Sequence, residues 1–162
     1  MSSGQLVVYS QSLAQIITLN AHSSGINRIK QILTKYVATA SNDNTVKIWN
    51  PFNNAWSLIR TYSGHTANVY GLEYMDSDTM ISGSSDQTIH VWSIGKGQLK
   101  RAISVNSIVY CLQMLANGYY LASGLSNNNI NIYDLNTGNL VKTLSGHTQQ
   151  VEDLALIGFF VF

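Results

Sequence analysis

Between Gly64 and Ser104 four short runs, Val69–Tyr74, Thr79–Gly83, Thr88–Trp92 and Leu99–Ile103, alternate with the polar pieces MDSD, SSDQ and SIGKGQ. Runs this short, rich in Val, Ile, Tyr and Thr and bounded by Gly, Asn, Asp and Ser, predict β-strands. No stretch carries the 3.6-residue apolar spacing of an amphipathic helix. The same four runs recur over residues 22–63 as Ile26–Ile32, Tyr36–Ala40, Thr45–Trp49 and Trp56–Tyr62. They recur again over 105–145 as VYCLQML, YYLASG, NINIY and LVKTL. Both chain ends read as partial copies. Leu6–Tyr9 and Gln15–Leu19 stand for a third and a fourth strand, and GHTQQVEDLALIG supplies a first strand, Val151–Ile157, before FFVF.

The repeat length decides between architectures. His65 and His147 occupy equivalent positions 82 residues apart, two periods of 41, and His22 lies 43 residues before His65. A period near 40–45 with four strands per unit is that of a β-propeller blade. The expected fold is therefore all-β, with four-stranded antiparallel blades at 22–63, 64–104 and 105–145 and partial blades at 4–21 and 146–162, in a single region over 1–162. Rings of this kind close with about four to eight blades. Three complete units therefore suggest a fragment of a larger propeller. The alternatives are a four-bladed ring closed by the two chain ends, or self-association through open blade edges.

Composition narrows the function classes. Charged residues make up only 10% of the chain and the net charge is +1, so nothing favours nucleic acid or an anionic membrane. Lys96, Lys100 and Arg101 read as a solvated edge. Cys111 is the only cysteine, which rules out an internal disulfide and fits a small buried apolar group. No signal-peptide pattern opens the chain, and Leu154–Phe162 is far too short for a membrane helix. An intracellular, cytoplasmic setting is expected, with no cofactor and no metal.

Each full unit places the same polar side chains at matching positions. They are His22, Thr39, Asp43 and Trp49 in the first, and His65, Ser82, Asp86 and Trp92 in the second. A histidine taken out of water needs both ring nitrogens matched, and an aspartate accepts from one of them. A hydroxyl accepts from an indole N–H while donating onward, so the four side chains make one chain of bonds. That chain would tie the entry loop to the turn between the second and third strands. The same residue types could make a hydrolase triad of Asp86, His65 and Ser82. Recurrence at the repeat period and the lack of a nucleophile elbow favour structure. His90 reads as a blade-surface histidine.

With Gly64-His65, Gly146-His147, Ser82-Gly83, Ser123-Gly124 and the endings TVKIWN, TIHVWS and NINIYD, the chain resembles the WD-repeat β-propeller family from Leu6 to about Ile157. The WD dipeptide itself is replaced by Trp49-Asn50, Trp92-Ser93 and Tyr133-Asp134. The third unit has Val105-Asn106, Asn127 and Tyr133 where the second has Gly-His, Asp and Trp. It is expected to lack the network, to be held mainly by packing and to be the least stable blade.

The resemblance implies a non-catalytic scaffold or adaptor that binds other proteins or peptides. It also implies a binding face made by the turns between second and third strands and the starts of the first strands. On matching positions that face comprises Gly25, Asn27, Asn42, Asn68, Tyr70, Ser85, Tyr110, Ser126, Gln150 and Glu152. Tyr70 and Tyr110 are its expected anchors, because aromatics dominate binding hot spots. The competing class is a propeller enzyme or regulatory domain with a site in the central channel, for which Glu152-Asp153 is the one acidic pair at a strand start.

Overall fold

A computed structural model describes residues 4–9, 15–32, 35–51, 56–115 and 118–157. Fourteen strands and no helix occur among them. β1 (Gly4–Tyr9) and β2 (Gln15–His22) make a two-stranded sheet. β3 (Ile26–Ile32), β4 (Tyr36–Ser41), β5 (Thr45–Asn50) and β6 (Ser57–Ser63) make a four-stranded antiparallel meander. It is repeated by β7 (Val69–Asp76), β8 (Thr79–Ser84), β9 (Thr88–Ser93) and β10 (Leu99–Ser104). The third copy is β11 (Val109–Met114), β12 (Tyr120–Leu125), β13 (Ile130–Asp134) and β14 (Leu140–Leu144). This is the architecture of propeller blades, in an open array.

Each sheet stacks on the next through its first strand. β7 packs against β3 and β4, and β11 packs against β7 and β8. The cores therefore lie between sheets. One joins Ala38, Ala40, Val46 and Ile48 of the first blade to Val69, Leu72 and Met80 of the second. The other joins Ile81, Ile89 and Val91 of the second to Val109, Leu112 and Leu121 of the third. Burying one such side chain contributes about 1.5–3 kcal/mol, so a blade without a neighbour loses most of its stabilisation.

Small residues on the second strand make the stacking possible. A Cβ on Gly83 would overlap Val109 Cγ1, and one on Gly124 would overlap the Cys111 sulfur and come within 2.8 Å of Val151 Cγ1. The first blade has the buried Ala40 at this position. Outer strands add polar ties. Arg60 on β6 donates to the carbonyls of Gly95 and Lys96, and Arg101 on β10 donates to those of Asn136 and Thr137. Lys100 pairs with Asp78 at 3.2 Å. The expected solvated basic edge is thus largely engaged in contacts within and between blades.

The expected strand Val151–Ile157 forms no ladder. Its only backbone tie to a sheet is Val151 N–H to the Leu125 carbonyl at 3.1 Å. No described residue supplies the second strand that would pair with it. The FFVF segment lies outside the described residues. β1 and β2 pair only with each other, so the strand pairing of a four-bladed closure is absent among the described residues.

Candidate functional site

In the second blade the four polar side chains form a directional relay. Trp92 Nε1–H donates to Ser82 Oγ at 2.8 Å, the Ser82 hydroxyl donates to His65 Nε2 at 2.7 Å, and His65 Nδ1–H donates to Asp86 Oδ2 at 2.8 Å. Every step is satisfied only when His65 is neutral with its proton on Nδ1. Burial pushes the His65 pKa below its ordinary value and outweighs the Asp86 carboxylate, which favours the charged ring. The first blade repeats the geometry. Trp49 donates to Thr39 at 2.9 Å, Thr39 to His22 Nε2 at 2.7 Å, and His22 Nδ1 to Asp43 at 2.9 Å. Burial of Asp43 works against its charge. Hydrogen bonds from Thr45, His22 and the Ser23 N–H outweigh it and bring the carboxyl down to about 2.

The relay resembles a hydrolase triad in residue types alone. Ser82 is fully buried, and its oxygen already accepts the Trp92 indole N–H. No substrate can reach that hydroxyl.

Two further positions complete the staple, and reading the sequence missed them. The Thr45 and Thr88 hydroxyls each donate to the turn aspartate at 2.6 Å. The Ser41 and Ser84 hydroxyls each bond back to the entry-loop carbonyls of Gly25 and Asn68 at 2.9 Å. The signal was present as the pattern Ser-x-Asp-x-Thr, SNDNT at 41–45 and SSDQT at 84–88, against LSNNN in the third blade. There Leu125 replaces the serine and is fully buried. The third blade carries a different arrangement, in which Asn131 donates to Tyr133 Oη at 3.0 Å and accepts from Thr143 at 2.8 Å. Tyr133 in place of Trp thus travels with Asn131 in place of His90 and Thr143 in place of Ala102.

His90 corrects the surface reading. It is buried, its ring stacks on His65 with centroids 3.9 Å apart, and its Nδ1 has no hydrogen-bond partner. Alternation along β9 puts His90 on the face of Trp92, whose ring lies 5.2 Å away, and the His65 ring covers it there. Burial first, and then the neighbouring His65, hold its pKa down to about 4. A base depressed in the fold costs stability as pH falls, because the unfolded chain takes up the proton first. Stability is therefore lost as pH falls from about 6.5, the ordinary histidine value, towards about 4. Urea unfolding at pH 7 and pH 4.5 should show a smaller acid loss for His90→Asn than for the wild type. Equal losses would contradict the assignment.

The residues expected on the binding face gather at the blade ends that carry the turns between second and third strands. In all three blades the register skips one residue at the start of the first strand, and the skipped residues are Asn27, Tyr70 and Tyr110. Such bulges re-aim a side chain out of the ladder. Tyr70 and Tyr110 lie half-buried, with ring centroids 5.4 Å apart on adjacent blades. Asn68 Nδ2 donates to Tyr70 Oη at 3.1 Å. Asn27 donates to Asn42 at 2.6 Å and to the Val69 carbonyl at 2.9 Å, which ties the first blade to the second. Ser85 donates to the Asn68 carbonyl, and Ser126 bonds Ser107 at 2.9 Å. Gln150 and Glu152 are exposed and bond to each other at 2.7 Å.

Gly25 departs from the expected set. It is buried, and its carbonyl accepts the Asn42 N–H and the Ser41 hydroxyl, so it offers a partner nothing. The acidic pair is also partly engaged, since Asp153 faces Arg28 at 3.5 Å. Among the described residues no group of three His, Cys, Asp or Glu side chains is placed to hold a metal. Cys111 is buried, its Sγ–H points to the Val151 carbonyl at 3.6 Å, and burial raises its thiol pKa to about 11. No helix of the described residues is long and apolar enough to cross a membrane.

Blades stacked through first strands and stapled by a His–Ser/Thr–Trp/Asp relay define a repeat-built propeller. Residues 13–50, 56–93 and 97–134 match the family profile described as "WD domain, G-beta repeat", and the chain belongs to that WD-repeat family. The first matched repeat starts just before an outer strand and runs through the third strand of the next sheet, so it straddles two blades.

The chain is similar to protein tipD of Dictyostelium discoideum, at 32% identity over 70% of this chain and 19% of that protein. It is similar to cell division control protein 4 of Saccharomyces cerevisiae, at 31% over 62% of this chain and 13% of that protein. A third relative, COMPASS component SWD3 of the same yeast, is 32% identical over 67% of this chain and 35% of its own length. The chain thus spans about a third or less of the length of these relatives. Proteins of the family are generally interaction scaffolds or regulators and generally not catalysts.

Proposed function

We propose that the chain is a protein-interaction module of scaffold or adaptor type, which binds protein or peptide partners on the face that carries Tyr70 and Tyr110. The observation that supports this reading most is the repeated bulge. Three consecutive blades break strand register at the same residue, and in two of them that residue is a half-exposed tyrosine. An aromatic pair on rigid strands presents large contact area with little ordering cost. Asn42, Ser85 and Ser126 surround it with hydrogen-bonding groups, and Gln150 and Glu152 add an amide and a carboxylate at one rim. The near-neutral chain suits partners recognised by shape and hydrogen bonds rather than by net charge.

The test is affinity capture from lysate with the wild type, Tyr70→Ala and Tyr110→Ala side by side, read by mass spectrometry. Partners specific to the wild type should drop at least tenfold with either variant while the far-UV spectrum stays unchanged. Recovery of the same partners in the same amounts by both variants would overturn the assignment of this face.

A further inference from the structure

The first strands carry a second site at their far ends, away from the bulged Asn27, Tyr70 and Tyr110. Lys30, Glu73 and Gln113 hold one register position on β3, β7 and β11, opposite Ala38, Ile81 and Ala122 of the second strands. Together with Tyr74, Met75 and Met114 they form most of the lining of an open hollow of about 860 Å³. All of its walls belong to the three four-stranded sheets.

The two charges of the hollow are held very differently. The Glu73 side chain is only 4% exposed, while the Lys30 side chain that pairs with it at 2.9 Å is 34% exposed. Glu73 also accepts the Tyr74 N–H at 3.0 Å. A carboxylate withdrawn from water is costly unless a cation meets it, so this point strongly favours an ammonium. Lys30 supplies that ammonium from the neighbouring blade, on a flexible stem that water already reaches. The third blade has the neutral Gln113 at this position, and its amide donates to the Met114 carbonyl at 3.0 Å. Lys30 thus shows what the hollow takes: a primary ammonium on an alkyl stem. Met75 and Met114 pack against the core between the second and third blades, and their thioethers give a methylene chain soft, adaptable walls.

We propose that this hollow binds a lysine side chain of another protein, whose ammonium replaces that of Lys30 on Glu73 while its stem lies along Met75 and Met114. Lys30 is then the resident competitor, and it swings into water when the partner lysine enters. The exchange leaves Glu73 paired throughout, so no buried charge is stranded at any stage. The site is independent of the Tyr70–Tyr110 face, which lies at the other end of the same strands.

Methionine methyl NMR provides the test, because Met75 and Met114 line the hollow while Met80 is buried in the core between the first and second blades. Titration with an end-capped GGKGG peptide should shift the Met75 and Met114 methyl signals saturably and leave Met80 in place. The same peptide with norleucine for lysine keeps the stem without the ammonium and should give no saturable shift. Lys30→Ala removes the competitor and should tighten GGKGG binding at least fivefold. Glu73→Gln leaves no buried charge behind and should abolish binding. Should Lys30→Ala fail to fold because it strands Glu73, Lys30→Gln keeps a neutral donor there, with a smaller gain expected. The proposal is overturned by no saturable shift up to about 50 mM peptide, by equal binding of the norleucine peptide, or by binding that Glu73→Gln leaves unchanged. It is also overturned if the Lys30 variant that folds binds no more tightly than wild type, or if GGRGG binds more tightly than GGKGG.

Discussion

Trp92→Ala should destabilise the protein by about 3–5 kcal/mol in urea unfolding, the usual cost of deleting a buried tryptophan. The indole does three things at once. It fills the core between the first and second blades, it meets the Tyr62 ring edge-on at 5.4 Å, and its N–H satisfies Ser82. Trp92→Phe keeps part of the ring packing and loses the N–H, so its cost should be smaller, about 1–3 kcal/mol. A finding that Trp92→Ala costs no more than Leu99→Ala, at an exposed site on β10, would mean that Trp92 is not the joint between blades described here.

The second large effect is expected at the turn aspartate. Asp86 accepts from His65 Nδ1, from the Thr66 and Thr88 N–H groups and from the Thr88 hydroxyl. Asp86→Ala strands these donors in a partly buried loop and should cost about 3 kcal/mol or more, given about 1–3 kcal/mol for each buried donor left unmet. Among the described residues the equivalent Asn127 side chain accepts only the exposed Asn129 N–H, so Asn127→Ala should fall within about 0.5 kcal/mol of wild type, as at ordinary surface sites. Thermal or urea unfolding of the pair provides its own control. Similar costs at the two positions would remove the distinction between stapled and unstapled blades.

The sequence carried the blade architecture clearly because the repeat shows each element several times over. Short alternating runs placed all fourteen strands, with ends differing by one to three residues where the two differ. The His, Ser/Thr, Asp and Trp positions were legible for the same reason. A residue type repeated at the period of the fold stands out from one that appears once. What stayed hidden was contact made by single residues. His90 occurs once in its column, where the other blades have Lys47 and Asn131, so no pattern indicated that His65 would stack over it. Asn131, Tyr133 and Thr143 form a substitute network that is visible only when three columns are read together. Val151–Ile157 has the spelling of a first strand, but a ladder needs a partner, and none of the described residues provides one.

The interaction face is the central claim, and hydrogen exchange with a captured partner tests it most directly. Amide exchange of the chain would be compared alone and with saturating partner, resolved to short peptides. The expected result is slowed exchange at residues 68–70, 85–87 and 108–110, with the outer strands β6, β10 and β14 unchanged. Slowed exchange confined to the outer strands, with none at Tyr70 or Tyr110, would contradict it.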